Sequence, residues 1–547
     1  SMFADLVLKS SAVFTALGDR SQPGAVAIAG DRIADVGPAD EVLGRCGEGA
    51  EVIDLGDSFV CPGFIDSHLH FHTAAMNRSR LSVFCEGSCA EDCVDALAAV
   101  EDARPRDEFM LSYGWYHPLW RDPSLPTRDI LDRAYPDRPV CLMGADVHTL
   151  WLNSAGLAKL GIDEGSVPPP GGIYRKDASG RLTGIVQETA AFDLFPRIYR
   201  FSREEEDEAV AAFIGDLHAN GITGVGDLAL FALPGADMIC DDVFARFDRD
   251  GRLDLRVSLF PTALDDLSRA RGIEARFAGS RFVRLGGLKQ FFDGVTSTHT
   301  AWLHESYANA DGPDDVGRPT VAPERMRRLV LGAAAAGYAV RVHTIGDRAV
   351  ETALDIFAEA IGTYGRPRVG AYGLEHLERI GDGDIPRLAR LGVLANVQPP
   401  HATLDPEGTV RDLGGERALR MWPFASYERA GVSYSFGTDA PVVDIDSRAV
   451  LYDAVTRRDA VSGLPEGGWA PDERLSAAQA VRAYTRGSAA ACGCAEETGT
   501  LEPGKLADIA VLDRDIVGSP ESPVDPELIR AAEVVMTLVG GKVVYTR

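Results

Sequence analysis

Basic residues are in short supply: 55 Lys and Arg stand against 82 Asp and Glu, leaving a net charge of −27 at pH 7. Phosphate backbones and anionic lipid surfaces attract positive faces, so neither nucleic acid nor membrane is expected as a partner. Cysteine is sparse too, nine in 547 residues, which excludes a disulfide scaffold. No window approaches the roughly 18 consecutive apolar residues of a membrane span. The start, SMFADLVLKSSAVF, lacks a basic stretch followed by an apolar one, so no secretory signal is expected and the cytoplasm is the expected address. Nucleotide-binding GxGxxG and Walker loops are missing as well. What remains is a chain 45% apolar and 25% charged, the composition of a soluble globular protein. Its length suits one large catalytic domain with appendages, or several ordinary domains. Cys85, Cys89 and Cys93 recur every four residues without a CxxC or histidine partner, and are read as buried thiols on one helical face.

From Asp5 to about Val60, short apolar runs broken by Gly and Asp predict a β-meander, and residues 495–547 repeat the style in GTLEPGKLADIAVLD and AEVVMTLVGGKVVY. Both termini are therefore expected to share one small β-sandwich, formed from 1–60 and 495–547. Between them, eight strand-like runs alternate with amphipathic stretches: CPGFIDSHLHF, ITGVGDLAL, LDLRVSLF, GGLKQFFDG, AVRVHTIGD, YGLEHL, VLANVQP and VSYSFGTDAP. That alternation predicts an α/β fold, a (β/α)8 TIM-like barrel over 61–80 and 199–494, with an open doubly wound sheet as the alternative. The first strand is followed by 81–198, too long for a βα connection and rich in aromatics and proline. It is expected to be an inserted cap subdomain over the barrel mouth. The acidic run REEEDE at 203–208 opens a predicted helix, where it complements the helix dipole on a solvated face.

His68 and His70 stand two apart at the end of the first core strand, so the period of two turns both imidazoles to one side and Leu69 to the other. Neutral imidazoles on a rigid strand are ready metal ligands, and barrel sites are built at the C-terminal ends of strands. His343 and His376 lie at the ends of the fifth and sixth strands. Lys289 sits inside the fourth strand, where burial lowers an ammonium's pKa; the plainer alternative pairs it with a carboxylate such as Asp293. Asp439 closes the eighth strand, with turn formation or helix capping as its plainer role.

This constellation, with CPGFIDSHLH at one end and GTLEPGKLADIAVLD at the other, resembles the amidohydrolase superfamily. The pieces VHTLWLNSAGL, GGIYRKDASGRLTGIVQE, LKQFFDGVTSTHTAWL, RVHTIGDRAV and GLEHLERI resemble its amidohydrolase-3 branch, which includes N-substituted formamide deformylases. The resemblance implies a binuclear centre in which His68, His70 and Asp439 hold one metal and His343 and His376 the other. Lys289 would bridge them as the carbamate formed with CO2, because a protonated amine has no lone pair to offer a cation. Two zinc ions per chain are the implied cofactors, although the ligand types also admit Mn, Fe, Co or Ni. The implied activity is hydrolysis of a non-peptide carbon–nitrogen bond in a small amide-type molecule by metal-bound hydroxide, with Asp439 moving the proton. A mononuclear deaminase or imidohydrolase, and a non-catalytic ligand-binding sensor, are the alternatives. A homo-oligomer is compatible with the sequence but not signalled by it.

Candidate substrate contacts are Trp115, His148, Trp151, His299, Trp302, Asp347 and Gln398, polar or aromatic groups suited to a mainly apolar pocket. For the tryptophans the alternative is that they fill the core of the insert. His72, His117, His218, His304 and His401 receive no role, and His218 falls in a predicted helix.

Overall fold

A computed structural model describes residues 3–547. All eight predicted runs form strands: β1 (Phe64–Leu69), β2 (Ile222–Leu228), β3 (Arg256–Phe260), β4 (Leu288–Phe291), β5 (Val340–Thr344), β6 (Gly373–His376), β7 (Leu394–Val397) and β8 (Tyr434–Phe436). Their pairings are parallel throughout, in two sheets. One sheet orders β1, β2, β3 and a short ninth strand, Val283–Leu285; the other runs from β4 to β8 in sequence order. The sheets meet at both edges. Beyond β3, Thr262 bridges Lys289 of β4, with Ala263 N donating to Lys289 O at 2.8 Å. At the other edge, Asp439 N donates to His68 O at 2.7 Å.

That second edge is fastened by Asp66, which accepts from Thr438 Oγ1 at 2.6 Å, Thr438 N at 3.0 Å and His68 N at 3.2 Å. Gly437 permits the approach, since a Cβ there would lie 2.7 Å from His68 N. Strands buried on both faces suit their Val, Ile and Leu content, and helices such as Arg203–Ala219, Pro323–Ala335 and Asp347–Tyr364 follow their sequence signals. The first of these carries a Ser202/Glu205 capping box. Its acidic run is not simply solvated, contrary to expectation: Glu205 pairs with buried Arg104 at 3.0 Å, Asp207 with Arg246 at 2.5 Å and Glu208 with Arg80 at 3.0 Å.

Strands from both termini share one mixed sheet of eight, whose path runs Lys542–Thr546, Val534–Val539, Ile509–Leu512, Phe59–Pro62, Leu6–Val13, Gln22–Ala29, Arg32–Gly37, with Glu51–Asp54 beside Leu6–Val13. Residues 82–188 carry a separate six-stranded sheet with its own apolar clusters. Here one expectation is corrected: Cys85 and Cys93 are joined in a disulfide. The helix begins only at Ala90, so Cys85 lies on a turn that doubles back to Cys93 instead of on a shared helical face. Among the described residues, no helix is long and apolar enough to cross a membrane.

Candidate metal centre

At the C-terminal ends of the parallel strands, His68, His70 and Asp439 bring one ligand atom each within 4.8 Å of one another, all buried. His70 Nε2 lies 2.9 Å and His68 Nε2 3.1 Å from the same oxygen, Asp439 Oδ1. A second such group shares the carboxylate: His376, His401 and Asp439. His343 stands beside it, its ring 4.7 Å from that of His376. Of the six ligands implied by the sequence, Lys289 and His343 are in neither group.

Behind each ring stands an acceptor that decides which nitrogen carries the hydrogen. His70 Nδ1 donates to Leu228 O at 2.9 Å, His376 Nδ1 to Gln398 Oε1 at 2.7 Å, and His343 Nε2 to Gly294 O at 2.8 Å. Burial lowers the pKa of all three, that of His343 to about 3, so each ring is neutral at pH 7. The second nitrogen then holds a bare lone pair. His70 Nε2 and Asp439 Oδ1 are thus two acceptors at hydrogen-bond distance with no hydrogen between them. A cation resolves that contact.

His68 Nδ1 faces Glu375 Oε1 at 2.7 Å. Glu375 is itself buried, bonded by Arg341 at 2.6 Å and Asn396 at 2.7 Å, and although burial opposes ionisation, Arg341 and His68 hold it well below the usual range. Lys289 Nζ is completely buried, has no hydrogen-bond partner and lies 4.3 Å from the centre of the Phe291 ring. Burial pulls it down to about 8. Asp293 is not its partner: that carboxylate accepts from the backbone of Trp302, Ile345 and Gly346 instead. His376 (φ 73°) and Asp439 (φ 58°) both adopt left-handed backbone, a strain that clusters at functional sites.

The candidate substrate contacts divide. His148 faces Glu188 Oε2 at 3.0 Å and remains partly exposed. Burial alone would lower its pKa, but Glu188, Asp146 and Asp439 raise it. Gln398 is committed to His376, as above. Trp115 and Trp151 pack on each other at 5.7 Å inside the insert core, their indoles donating to Leu142 O and Thr127 O, away from the histidines of the ligand groups. Trp302 packs on Phe292 and under Arg348. Asp347 accepts from His304 N, and His299 stacks on Tyr307 at 4.0 Å with Nδ1 on Asp315 at 2.7 Å. Of the unassigned histidines, His72 meets Glu206, His117 Pro123 O, His218 Asp254 O and His304 Glu351. Only His401 among them enters a ligand group. Glu375 was missed by sequence reasoning although its signal matched that of Lys289, an ionisable residue inside an apolar strand.

A family model described as the amidohydrolase family matches residues 51–545. N-substituted formamide deformylase of Arthrobacter pascens is 29% identical over 99% of this chain and 98% of its own length. Protein LONG AFTER FAR-RED 3 of Arabidopsis thaliana is 29% identical over 99% of this chain and 92% of its own. A crystal structure of an uncharacterized metal-dependent hydrolase from Pyrococcus furiosus superimposes with a TM-score of 0.72 at 26% identity, covering 93% of this chain and 99% of that one. With a match running over nearly the whole length and a set of buried histidines converging on one aspartate, the chain belongs to the amidohydrolase family.

Proposed function

We propose that the protein is a metal-dependent hydrolase of small amide-type molecules, cleaving a non-peptide carbon–nitrogen bond as the Arthrobacter pascens relative's name describes for N-substituted formamides. The observation that carries the reading is the unbridged contact between the neutral His70 ring and ionised Asp439. In this reading β1 to β8 close into a (β/α)8 barrel, supported by the Thr262–Lys289 bridge at one edge and the Asp439–His68 bond at the other. Residues 81–198 cap it, and 1–60 with 495–547 form the β-sandwich.

The donor set fits divalent cations. His68, His70 and Asp439 would hold one, His343 and His376 a second, and Lys289, buried and unpartnered, would join the two as a carbamate. Imidazole and carboxylate favour zinc. When bound, such ions supply Lewis acidity toward a carbonyl and acidify water. The chain supplies orientation and proton movement. Leu228 O, Gln398 and Gly294 O fix the tautomers of His70, His376 and His343, and Glu375 holds His68. Asp439 presents Oδ1 to His68 and His70, leaving Oδ2 free to take a proton from the attacking water and return it to the departing nitrogen.

Elemental analysis beside a screen of formamides, acyl amides, lactones and carbamates tests this reading. About two metals per chain, with amide hydrolysis lost on chelation, is the expected result. Full folding without metal, or turnover indifferent to chelators, contradicts it.

A further inference from the structure

Hydrolysis as just described gives His401 no task, yet its side chain is among the most constrained near Asp439. It rides on a short turn, Pro399–Thr403, directly after β7. Two prolines fix the backbone before it, His401 N donates to Gln398 O at 3.0 Å, and Thr403 Oγ1 anchors the turn on Asp453 at 2.5 Å. The ring lies almost parallel to that of His376, 12° between planes and 5.9 Å between centres.

Its Nε2 is buried and has no hydrogen-bond partner. The atom it faces is Asp439 Oδ2, the oxygen turned away from His68 and His70, at 4.0 Å. That distance is too long for a hydrogen bond. Nδ1 looks toward Glu378 Oε2 at 3.9 Å, so each ring nitrogen faces a carboxyl oxygen, and the tautomer with the hydrogen on Nε2 is the one that complements Asp439 Oδ2. A buried polar atom without a partner is rare in native proteins. Here an unpartnered ring nitrogen and a carboxylate oxygen face each other 4.0 Å apart, too far to satisfy each other directly.

We propose that His401 is a catalytic residue, its Nε2–H binding the acyl oxygen of an amide whose leaving nitrogen lies against Asp439 Oδ2. This rests on the hydrolase reading above. As the water oxygen bonds to the carbonyl carbon, the C=O electron pair moves onto the acyl oxygen, where His401 stabilises the charge, and the water's proton passes to Oδ2. The pair returns as the C–N bond breaks, Oδ2 delivers its proton to the nitrogen, and the amide plus water leaves as carboxylic acid plus amine. Bond making and breaking balance without a further reactant.

His401→Ala and His401→Gln, purified with metal and compared with wild type, decide the matter. An oxyanion donor contributes about 10²–10³ in kcat, so His401→Ala is expected to lose that much with a much smaller change in KM and unchanged metal content and Tm. His401→Gln, whose amide N–H reaches a similar position, recovers part of the loss. An N-substituted phosphonamidate, a tetrahedral mimic that is not hydrolysed, should bind His401→Ala roughly 100-fold more weakly than wild type. Wild-type kcat at equal metal content overturns the proposal while leaving the hydrolase reading intact. Loss of metal in both variants also overturns it, because His401 would then be a ligand with His376 and Asp439. A Gln variant no better than Ala reduces His401 to ring packing and overturns it too. If wild type neither turns over amides nor binds the mimic, the hydrolase reading fails first and this inference falls with it.

Discussion

The inserted sheet and the tips of the parallel strands use buried polar side chains to opposite ends. In the insert, Trp115 and Trp151 place their indole N–H groups on backbone carbonyls, Asn153 bonds Val140 N, Gly156 N and two carbonyls, and Arg138 caps three more. Most polarity there is consumed by the fold, with Ser82 Oγ, Ser112 Oγ and Arg128 Nε left unpartnered. At the strand tips, His68 Nε2, Lys289 Nζ and His401 Nε2 are buried with no hydrogen-bond partner, and His70 confronts Asp439 as acceptor against acceptor. Burial without satisfaction is costly, and a chain retains it where a ligand or a reaction completes the set.

The sharpest way to break this contrast is Asp439→Asn, which keeps shape but removes the proton carrier. Turnover of the metal-loaded enzyme is expected to fall by about 10²–10⁴, and a folded, metallated variant at the wild-type rate would erase the distinction between the regions. Gln398→Leu acts one step behind the ligands. It removes the acceptor that fixes the His376 tautomer, so metal affinity measured by competition with a chelator should fall by about 10–100-fold while the insert is untouched.

Legibility in the sequence followed the same division. His-x-His at a strand end, and single ionisable residues in apolar strands, betray the strand tips because periodicity states which way each side chain points. All eight parallel runs were readable as apolar stretches alternating with amphipathic helical ones. The insert gave no such guide: the aromatic content of GWYHPLW suggested a pocket wall, but a tryptophan's burial depends on tertiary neighbours, and Trp151 is fully buried. His401 was illegible because it lies after β7 on a turn whose direction no period encodes, and the Cys85–Cys93 pairing because a loop precedes the helix. Glu375 was readable in principle, since it stands in β6 beside His376 as conspicuously as Lys289 stands in β4.

Lys289 sharpens the comparison through pH. Carbamate formation needs the free amine, and burial lowers the ammonium from 10.5 to about 8. Below 8 the charged form dominates, so at fixed dissolved CO2 the reactivation of CO2-stripped protein should rise about tenfold per pH unit and level off above 8. A profile still rising at pH 10 would mean an ordinary exposed lysine. The smallest expected effect on chemistry is in the insert: Trp151→Ala should cost about 3–5 kcal/mol of stability in denaturant titration yet leave kcat per folded, metal-loaded molecule unchanged. A large loss of kcat there would move the tryptophan from core to pocket.

If a cation belongs between His70 and Asp439, it can be located there directly. Anomalous scattering from crystals grown with the metal identified by elemental analysis, recorded at that metal's absorption edge, tests it most directly. A peak within coordination distance of His68 Nε2, His70 Nε2 and Asp439 Oδ1 is expected. Well-ordered side chains with no peak there, or the metal bound elsewhere, would contradict it.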